Sequence, residues 1–215
     1  AGKSTFLSLI SRLQPMDEGE VRIDDLEVGR TDNNLLARKI AILKQTNHLN
    51  VRLTVRQLVT FGRFPHSGSR ITSEDKRYVD EAIRYMNLEG LQHQFLDRLS
   101  GGQKQRAFIA MVLAQDTEYV LLDEPLNNLD MKHSVQIMQV LRRMVDDLGK
   151  TVVLVLHDIN FASAYSDTIV AMRDGRIVGE GPTERMIDTG VLRDVYEMEI
   201  PIHVVKDKKI CVYFS

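Results

Sequence analysis

The chain has 215 residues, of which 43% are apolar and 27% charged, as in an ordinary globular protein with one sizeable domain. It carries 28 Lys and Arg against 30 Asp and Glu, and this net charge of -2 argues against a general binder of nucleic acid or acidic lipid. The single cysteine, Cys211, excludes a disulfide framework within the chain and is expected to be a buried thiol in a late apolar strand.

The first residues read AGKST, which is how the phosphate-loop consensus G-x-x-x-x-G-K-[ST] ends. An amphipathic helix closed by Pro15 is predicted next, from apolar residues spaced i, i+3, i+4 and i+7: Phe6, Leu9, Ile10 and Leu13. Unpaired N–H groups and the positive dipole end make a helix N-terminus suitable for phosphate. In that position Lys3 could reach the β and γ phosphates of a nucleotide, and the hydroxyl of Ser4 could bind Mg²⁺.

The next elements alternate between strand and helix patterns. GEVRIDD and IAILKQ (Ile40–Gln45) are predicted strands. TVRQLVTFGR favours a short helix, and TSEDKRYVDEAIRYMN favours a longer one that starts at the capping box Thr72–Asp75. This helical stretch predicts one domain made of an α/β core, residues 1–50 and 116–215, with an inserted helical subdomain at about 51–115.

The α/β pattern resumes after the insertion. A helix from Ser100 to about Gln115 leads to the strand YVLLD, the helix HSVQIMQVLRRMVDDL and the strand TVVLVLH. Two apolar strands separated by a helix are typical of a buried parallel sheet. Hairpins are predicted in AMRDGRIV, around Asp174–Gly175, and in the tail IHVVKDKKICVYF.

VLLDEP places two acids, Asp123 and Glu124, at the carboxyl end of a buried strand, the edge where α/β proteins bind ligands. Asp123 suits a metal-binding role, holding Mg²⁺ directly or through water. Glu124 could polarise an attacking water as a general base. The simpler alternative is that the two acids only cap the following turn.

LSGGQKQR begins a second helix with phosphate-binding character. Ser100 and Gln103 form a capping box, and Gly101 and Gly102 leave room for an anion at the helix end. The simpler alternative here is a capped helix without a ligand.

Together these motifs resemble those of ABC-transporter ATPases over essentially the whole chain. LSGGQKQR resembles the signature motif of that family, and VLLDEP its Walker B motif with the catalytic glutamate. NNLD (Asn127–Asp130) resembles the D-loop, Gln45 the Q-loop glutamine, and His157 in VLHD the switch histidine. The resemblance implies an α/β P-loop NTPase of the ABC ATPase type, with a parallel core sheet and an inserted helical subdomain.

His157 also has a physical argument, because it ends an apolar strand predicted beside the one that carries Asp123 and Glu124. It would therefore lie at the same sheet edge, within reach of a γ-phosphate. The remaining histidines, His133 among them, lack such a placement and are expected to be surface or packing residues.

The resemblance implies a head-to-tail homodimer that holds ATP and Mg²⁺ between its subunits. One subunit would bind the nucleotide through Gly2, Lys3, Ser4 and Thr5. The other would contribute Ser100, Gly101, Gly102, Gln103 and Asp130. Ser4, Gln45 and Asp123 would hold Mg²⁺, and Glu124, His157 and Gln45 would act in hydrolysis.

The partners implied are transmembrane permease subunits, which would dock on the segment from Val51 to Pro65, and indirectly a substrate-binding protein. The expected location is the cytoplasmic face of the cell membrane, through the permease, and no nucleic acid is expected to bind. EPLNNLD, TVRQLVTFGRFPH and VLHDINFASAYSD resemble iron(III)-siderophore importers most, with cobalamin, haem and other importers as alternatives.

Two readings of other kinds stay open at this stage. One is a soluble ABC ATPase that acts on nucleic acid or ribosomes, although the chain lacks the sustained heptads of a long coiled coil. The other follows from the start of the chain inside the phosphate loop, without the upstream strands and adenine-stacking aromatic residue that the resemblance implies. A fragment of that kind would hold ATP poorly and be less stable.

Overall fold

The computed structural model describes residues 2–45 and 51–214, which group into two compact units. The larger unit spans Ser8–Leu154, and the smaller one combines Ala1–Leu7 with Val155–Ser215. The division proposed from the sequence, a core of 1–50 and 116–215 with a helical subdomain at about 51–115, follows a different criterion and stays a prediction.

The larger unit alternates short strands with helices. The first helix is α1 (Lys3–Ile10), of which Lys3–Leu7 belong to the smaller unit. The elements that follow, in chain order, are β1 (Arg22–Ile23), β2 (Leu26–Glu27), α2 (Asn33–Lys39), β3 (Ile40–Leu43), α3 (Val55–Phe61), α4 (Phe64–Ser67), α5 (Ser73–Tyr85), α6 (Gly101–Ala114), β4 (Tyr119–Asp123), α7 (Met131–Asp146) and β5 (Thr151–Val155).

The central sheet has the strand order β3-β4-β5. β3 and β4 are parallel, in a register that pairs Ile40 with Tyr119 and Leu43 with Leu122. Ala41, Val120 and Leu122 are almost completely buried, because helices cover both faces of a parallel sheet of this kind. The α/β architecture is therefore the one predicted.

Three helices, α3, α5 and α6, follow β3 and precede β4 in the sequence, and they pack on one another. Each starts at a complete capping box, with Thr54, Thr72 and Ser100 as the N-cap residues. α5 buries one apolar face, made of Val79, Ala82 and Ile83, and Met86 directly after the helix is buried as well. α7 buries Ile137, Leu141 and Met144 and ends at Asp146, so Leu148 lies beyond the helix and is 43% exposed.

A buried ion pair joins these helices. Arg63 donates from Nε to the Asp75 carboxylate at 2.9 Å and from a terminal nitrogen to the carbonyl of Ala114 at 2.8 Å. Burial by itself raises the pKa of Asp75, but hydrogen bonds from the hydroxyl and N–H of Thr72 and from Arg63 outweigh it and hold that pKa below its ordinary value. The pair thus ties the start of α5 to the end of α6.

The smaller unit carries two hairpins and three helices. Its elements are α8 (Ile159–Tyr165), β6 (Thr168–Arg173), β7 (Arg176–Pro182), α9 (Thr183–Met186), α10 (Thr189–Tyr196), β8 (Ile202–Val205) and β9 (Lys208–Cys211). Both hairpins were predicted, and Cys211 is buried in β9 with Ile187, Leu192 and Ile200 as expected. The side-chain amide of Asn160 in α8 both donates to and accepts from the backbone of Cys211, which fixes β9 against that helix.

The first helix differs from its prediction. α1 ends at Ile10 rather than near Pro15, because Arg12 takes a left-handed conformation with φ of 58° and its guanidinium donates to the carbonyls of Val28 and Thr31. Leu13 therefore lies outside the helix, and Phe6 is 39% exposed, so the predicted apolar face is wrong. The residue that α1 buries is Leu7.

The ion pair between Arg63 and Asp75 leads to a stability prediction. Asp75→Asn leaves the buried guanidinium without a charge partner and should lower the free energy of unfolding by about 3–5 kcal/mol at neutral pH. Glu81→Gln, which breaks an exposed pair with Arg77 at 3.8 Å, is the matched control and should cost about 0–1 kcal/mol. Urea denaturation of both variants measures the difference.

The pH dependence of the same pair has a defined sign. Because the pKa of Asp75 is depressed in the folded state, its contribution is present above the unfolded value of 3.8 and is lost as the pH falls below it. Equal costs for Asp75→Asn and Glu81→Gln at neutral pH would contradict a structural role for the buried pair.

Candidate active site

The lysine of the phosphate-loop motif lies at the start of α1, in the smaller unit. Gly2 precedes it with φ of +83°, and a Cβ there would come within 3.2 Å of the Cα of Gly175. The ammonium of Lys3 donates to the carbonyl of Leu156 at 2.7 Å. This contact brings the lysine to the residue immediately before His157, at the end of β5.

Ser4 and Thr5 occupy the first turn of α1, which is the position that the motif predicts for them. The side chain of Thr5 is exposed and that of Ser4 is half-buried. His157 lies two residues after the end of β5 and precedes Asp158, whose carboxylate accepts from two N–H groups of α8 as its N-cap. The structure therefore joins two predicted site segments, Gly2–Thr5 and His157, within this unit.

In the larger unit the register of β3 and β4 brings two other predicted residues together. Leu43 pairs with Leu122, so the residues two positions further on, Gln45 and Glu124, leave the sheet at the same edge. Gln45 Nε2 donates to Glu124 Oε2 at 2.5 Å. Asp123, which is half-buried, is the last residue of β4 and directly precedes Glu124.

The turn after β4 holds Glu124 in an uncommon backbone conformation. Its φ is +50°, which lies in the left-handed region that few residues other than glycine adopt. The N–H of Asn127 donates to the carbonyl of Glu124 at 3.2 Å, and its side-chain Nδ2 donates to Oε2 of the same residue. Backbone strain of this kind is concentrated at functional sites.

Asn127 was not predicted to have a role of its own beyond its place in NNLD. The signal that could have found it is the string Glu-Pro-x-Asn after a buried strand. Proline at the second position favours a tight turn, which brings the fourth side chain back beside the first.

The signature segment forms the start of α6. Ser100 Oγ accepts from the N–H of Gln103, and the side chain of Gln103 accepts from the N–H of Ser100 at 3.0 Å. A Cβ added to Gly101 would meet nothing closer than 3.9 Å. At Gly102 it would lie 2.6 Å from Cδ2 and 2.8 Å from Cγ of His133, so only glycine fits there without displacement.

His133 is held on its other side by the D-loop. Oδ1 of Asp130 accepts from the N–H of His133 and contacts its ring Nδ1, each at 2.8 Å. The bond from the backbone N–H is the largest of the effects that hold the pKa of Asp130 below its ordinary value. His133 is therefore a packing residue, as predicted, and it lies between Gly102 and Asp130.

Two of the residues predicted to hold Mg²⁺, Ser4 and Asp123, carry oxygen donors, which suit this ion. No group of three or more His, Cys, Asp or Glu side chains within residues 2–45 and 51–214 could enclose a metal ion. Mg²⁺ is usually bound by one or two carboxylates together with substrate phosphates rather than by such a cage. The Asp123 carboxylate and the Ser4 hydroxyl belong to this donor class.

Comparison with known proteins identifies the relatives of the chain. A family model described as ABC transporter matches residues 1–127. The petrobactin import ATP-binding protein YclP of Bacillus subtilis is 60% identical over 215 residues, which cover 100% of this chain and 85% of that protein. The petrobactin import ATP-binding protein FatE of Bacillus anthracis is 52% identical over 202 residues, covering 94% of this chain and 81% of that protein.

A solved structure extends the comparison to three dimensions. A dimeric ATP-binding cassette in a post-hydrolysis state, bound to ADP and Pi, matches with a TM-score of 0.73 and 34% sequence identity. The match covers 85% of this chain and 81% of that one. The α/β fold class with a parallel sheet, predicted from the sequence, is confirmed by this likeness.

The contact between Gly102 and His133 can be tested by paired glycine substitutions. Gly102→Ala should lower the free energy of unfolding by about 1–3 kcal/mol, because the new methyl group overlaps a ring that Asp130 holds in place. Gly101→Ala is the matched control and should be close to neutral, since its methyl group would meet no atom closer than 3.9 Å. Thermal and urea denaturation give both values.

A compensating variant makes this test sharper. Adding His133→Ala to Gly102→Ala removes the ring and should recover at least half of the lost stability. Equal stabilities of the two single glycine variants, or a double variant less stable than Gly102→Ala, would contradict the close contact.

Proposed function

Because this chain belongs to the ABC transporter family, as an ATP-binding subunit that hydrolyses ATP, we propose that it powers the import of an iron(III)-siderophore. The observation that carries the mechanistic part is the hydrogen bond between Gln45 and Glu124 at the shared end of β3 and β4. It supports a catalytic role for this edge, because it places a general-base candidate and a metal-ligand candidate side by side.

In this proposal the start of α1 binds the phosphates. The ammonium of Lys3 contacts the β and γ phosphates, while the first N–H groups of α1 in the segment Gly2–Thr5 surround them. The resting contact of Lys3 with the Leu156 carbonyl supports this role, because it leaves the ammonium on a neutral acceptor that an anionic phosphate can replace.

Bound Mg²⁺ would supply positive charge that stabilises the phosphates during transfer. Ser4, Asp123 and Gln45 are the residues that would hold it. Glu124 orients the attacking water and accepts its proton, and His157 contacts the γ-phosphate. The left-handed backbone at Glu124 supports its assignment, since backbone strain of this kind is concentrated at functional sites.

We propose that a second copy of the chain completes the site. Its signature segment, Ser100–Gln103, would bind the opposite face of the nucleotide with Asp130. Space for an anion at Gly101 and the free N–H groups expected at a capped helix start support this assignment. The similar cassette that was solved as a dimer with ADP and Pi is consistent with such an assembly.

Docking of permease subunits is proposed for the segment from Val51 to Pro65. Val51 is 66%, Phe61 53% and Phe64 63% exposed, so three large apolar side chains are available to a partner. Every helix that the structure describes is too short or too polar to cross a bilayer. We propose that the permease attaches the chain to the cytoplasmic face of the cell membrane, with a substrate-binding protein as an indirect partner.

The substrate class can be tested by uptake. The names of the relatives YclP and FatE favour petrobactin over other iron(III)-siderophores. Deletion of the gene should abolish uptake of radiolabelled iron(III)-petrobactin, and the wild-type gene should restore it. Cobalamin and haem uptake serve as controls and should be unchanged. Loss of cobalamin or haem uptake with normal petrobactin uptake would contradict the assignment.

Glu124→Gln tests the general base. In the full-length protein this change should lower kcat for ATP by about 100-fold or more, because an amide cannot accept the proton of the attacking water. The ATP-bound dimer should accumulate and be detectable by size-exclusion chromatography. Glu118→Gln is the matched control at the opposite end of β4, where Glu118 pairs with Lys39. Normal turnover by Glu124→Gln would remove Glu124 from this role.

A further inference from the structure

The turn that follows β4 brings Asn127 back to Glu124. Pro125 occupies the second position of the turn, and the Asn127 N–H closes it on the Glu124 carbonyl at 3.2 Å. Pro125 is buried, so the turn is anchored in the larger unit. The next residue, Asn128, has φ of +60°, which ends the turn in a second left-handed position.

Two amide groups converge on a single carboxylate oxygen. Gln45 Nε2 donates to Glu124 Oε2 from the end of β3, and Asn127 Nδ2 donates to the same oxygen from within the turn. Hydrogen bonds to an ionised acceptor are stronger than those between neutral groups. The two donors therefore restrict the rotation of a side chain that would otherwise sample several rotamers.

The two donors, Gln45 and Asn127, are held beside Glu124 by different parts of the structure. Gln45 is 79 positions from Glu124 in the sequence and lies just after β3, so its contact depends on how β3 pairs with β4. Asn127 is three residues from Glu124 and is joined to it by the backbone bond of the same turn. Both partners of this contact lie within the turn, so the contact does not depend on the pairing of β3 with β4.

We propose that Asn127 is a positioning residue for Glu124, which holds the carboxylate by Oε2 so that it points at the attacking water whether or not Gln45 is engaged. This inference rests on the proposed function, since it requires Glu124 to act as the general base. Asn127 itself contacts neither water nor phosphate in this role. Its loss should therefore affect turnover and leave ATP affinity unchanged.

Asn127→Asp separates this role from a purely structural one. Aspartate has the shape of asparagine and is equally favourable in turns, so a residue needed only for the turn would tolerate it. It replaces the amide donor by a carboxylate facing Glu124, and like charges at this distance repel. kcat for ATP should fall by about tenfold or more, while KM stays within about twofold of the wild-type value.

The measurement uses the full-length protein reconstituted with its permease. Asn87→Asp is the control, because Asn87 is exposed like Asn127 and lies just after α5 rather than in the turn after β4. It should retain wild-type kcat. Asn127→Gln, which keeps an amide donor on a longer side chain, should recover much of the activity that Asn127→Asp loses.

Two further variants make each outcome decisive. If thermal denaturation shows that Asn127→Asp does not fold, Asn127→Ala takes its place. For Asn127→Ala we expect kcat to decrease by about threefold to tenfold and KM to stay unchanged. Wild-type kcat in the folded Asn127 variant, while Glu124→Gln is inactive, would overturn the positioning role alone. Wild-type turnover by Glu124→Gln would instead overturn the role of Glu124 and this inference with it.

Discussion

The parallel register of β3 against β4 is the constraint on which the catalytic edge depends. Parallel strands end at one edge of the sheet, and the pairing of Leu43 with Leu122 makes Gln45 and Glu124 leave it at equal heights. A shift of one residue would turn the alternate side chains to the other face and separate the amide from the carboxylate. Burial of both strands on both faces makes such a shift costly, so the core itself holds the two groups together.

The short stretch from Asp123 to Asp130 connects this sheet edge to the start of α7. It begins at the end of β4, folds into the turn that holds Glu124, and finishes as the N-cap of α7. Through His133 that cap lies against Gly102 at the start of α6. Eight residues therefore link the proposed hydrolytic group of one site to the signature segment proposed for the site of a partner subunit.

Local chemistry explains which elements could be predicted. Capping boxes at Thr72 and Ser100 and the apolar strand of β4 carry their structure in adjacent residues, and the predictions there were confirmed. α2, α8 and α10 were not predicted, although each begins at an aspartate that accepts from two backbone N–H groups: Asp32, Asp158 and Asp188. These helices have seven or eight residues, too few for a clear apolar period, so their caps were the available signal.

The sequence by itself determined the family, the ATP-hydrolysing function and the order of the motifs, because glycines, caps and paired acids express phosphate chemistry in contiguous residues. Tertiary structure decided three contacts that no contiguous pattern contains. These are the bond of Gln45 to Glu124, the packing of His133 against Gly102, and the contact of Lys3 with the Leu156 carbonyl. Each joins residues at least 31 positions apart, and only strand register and helix packing determine which distant side chains meet.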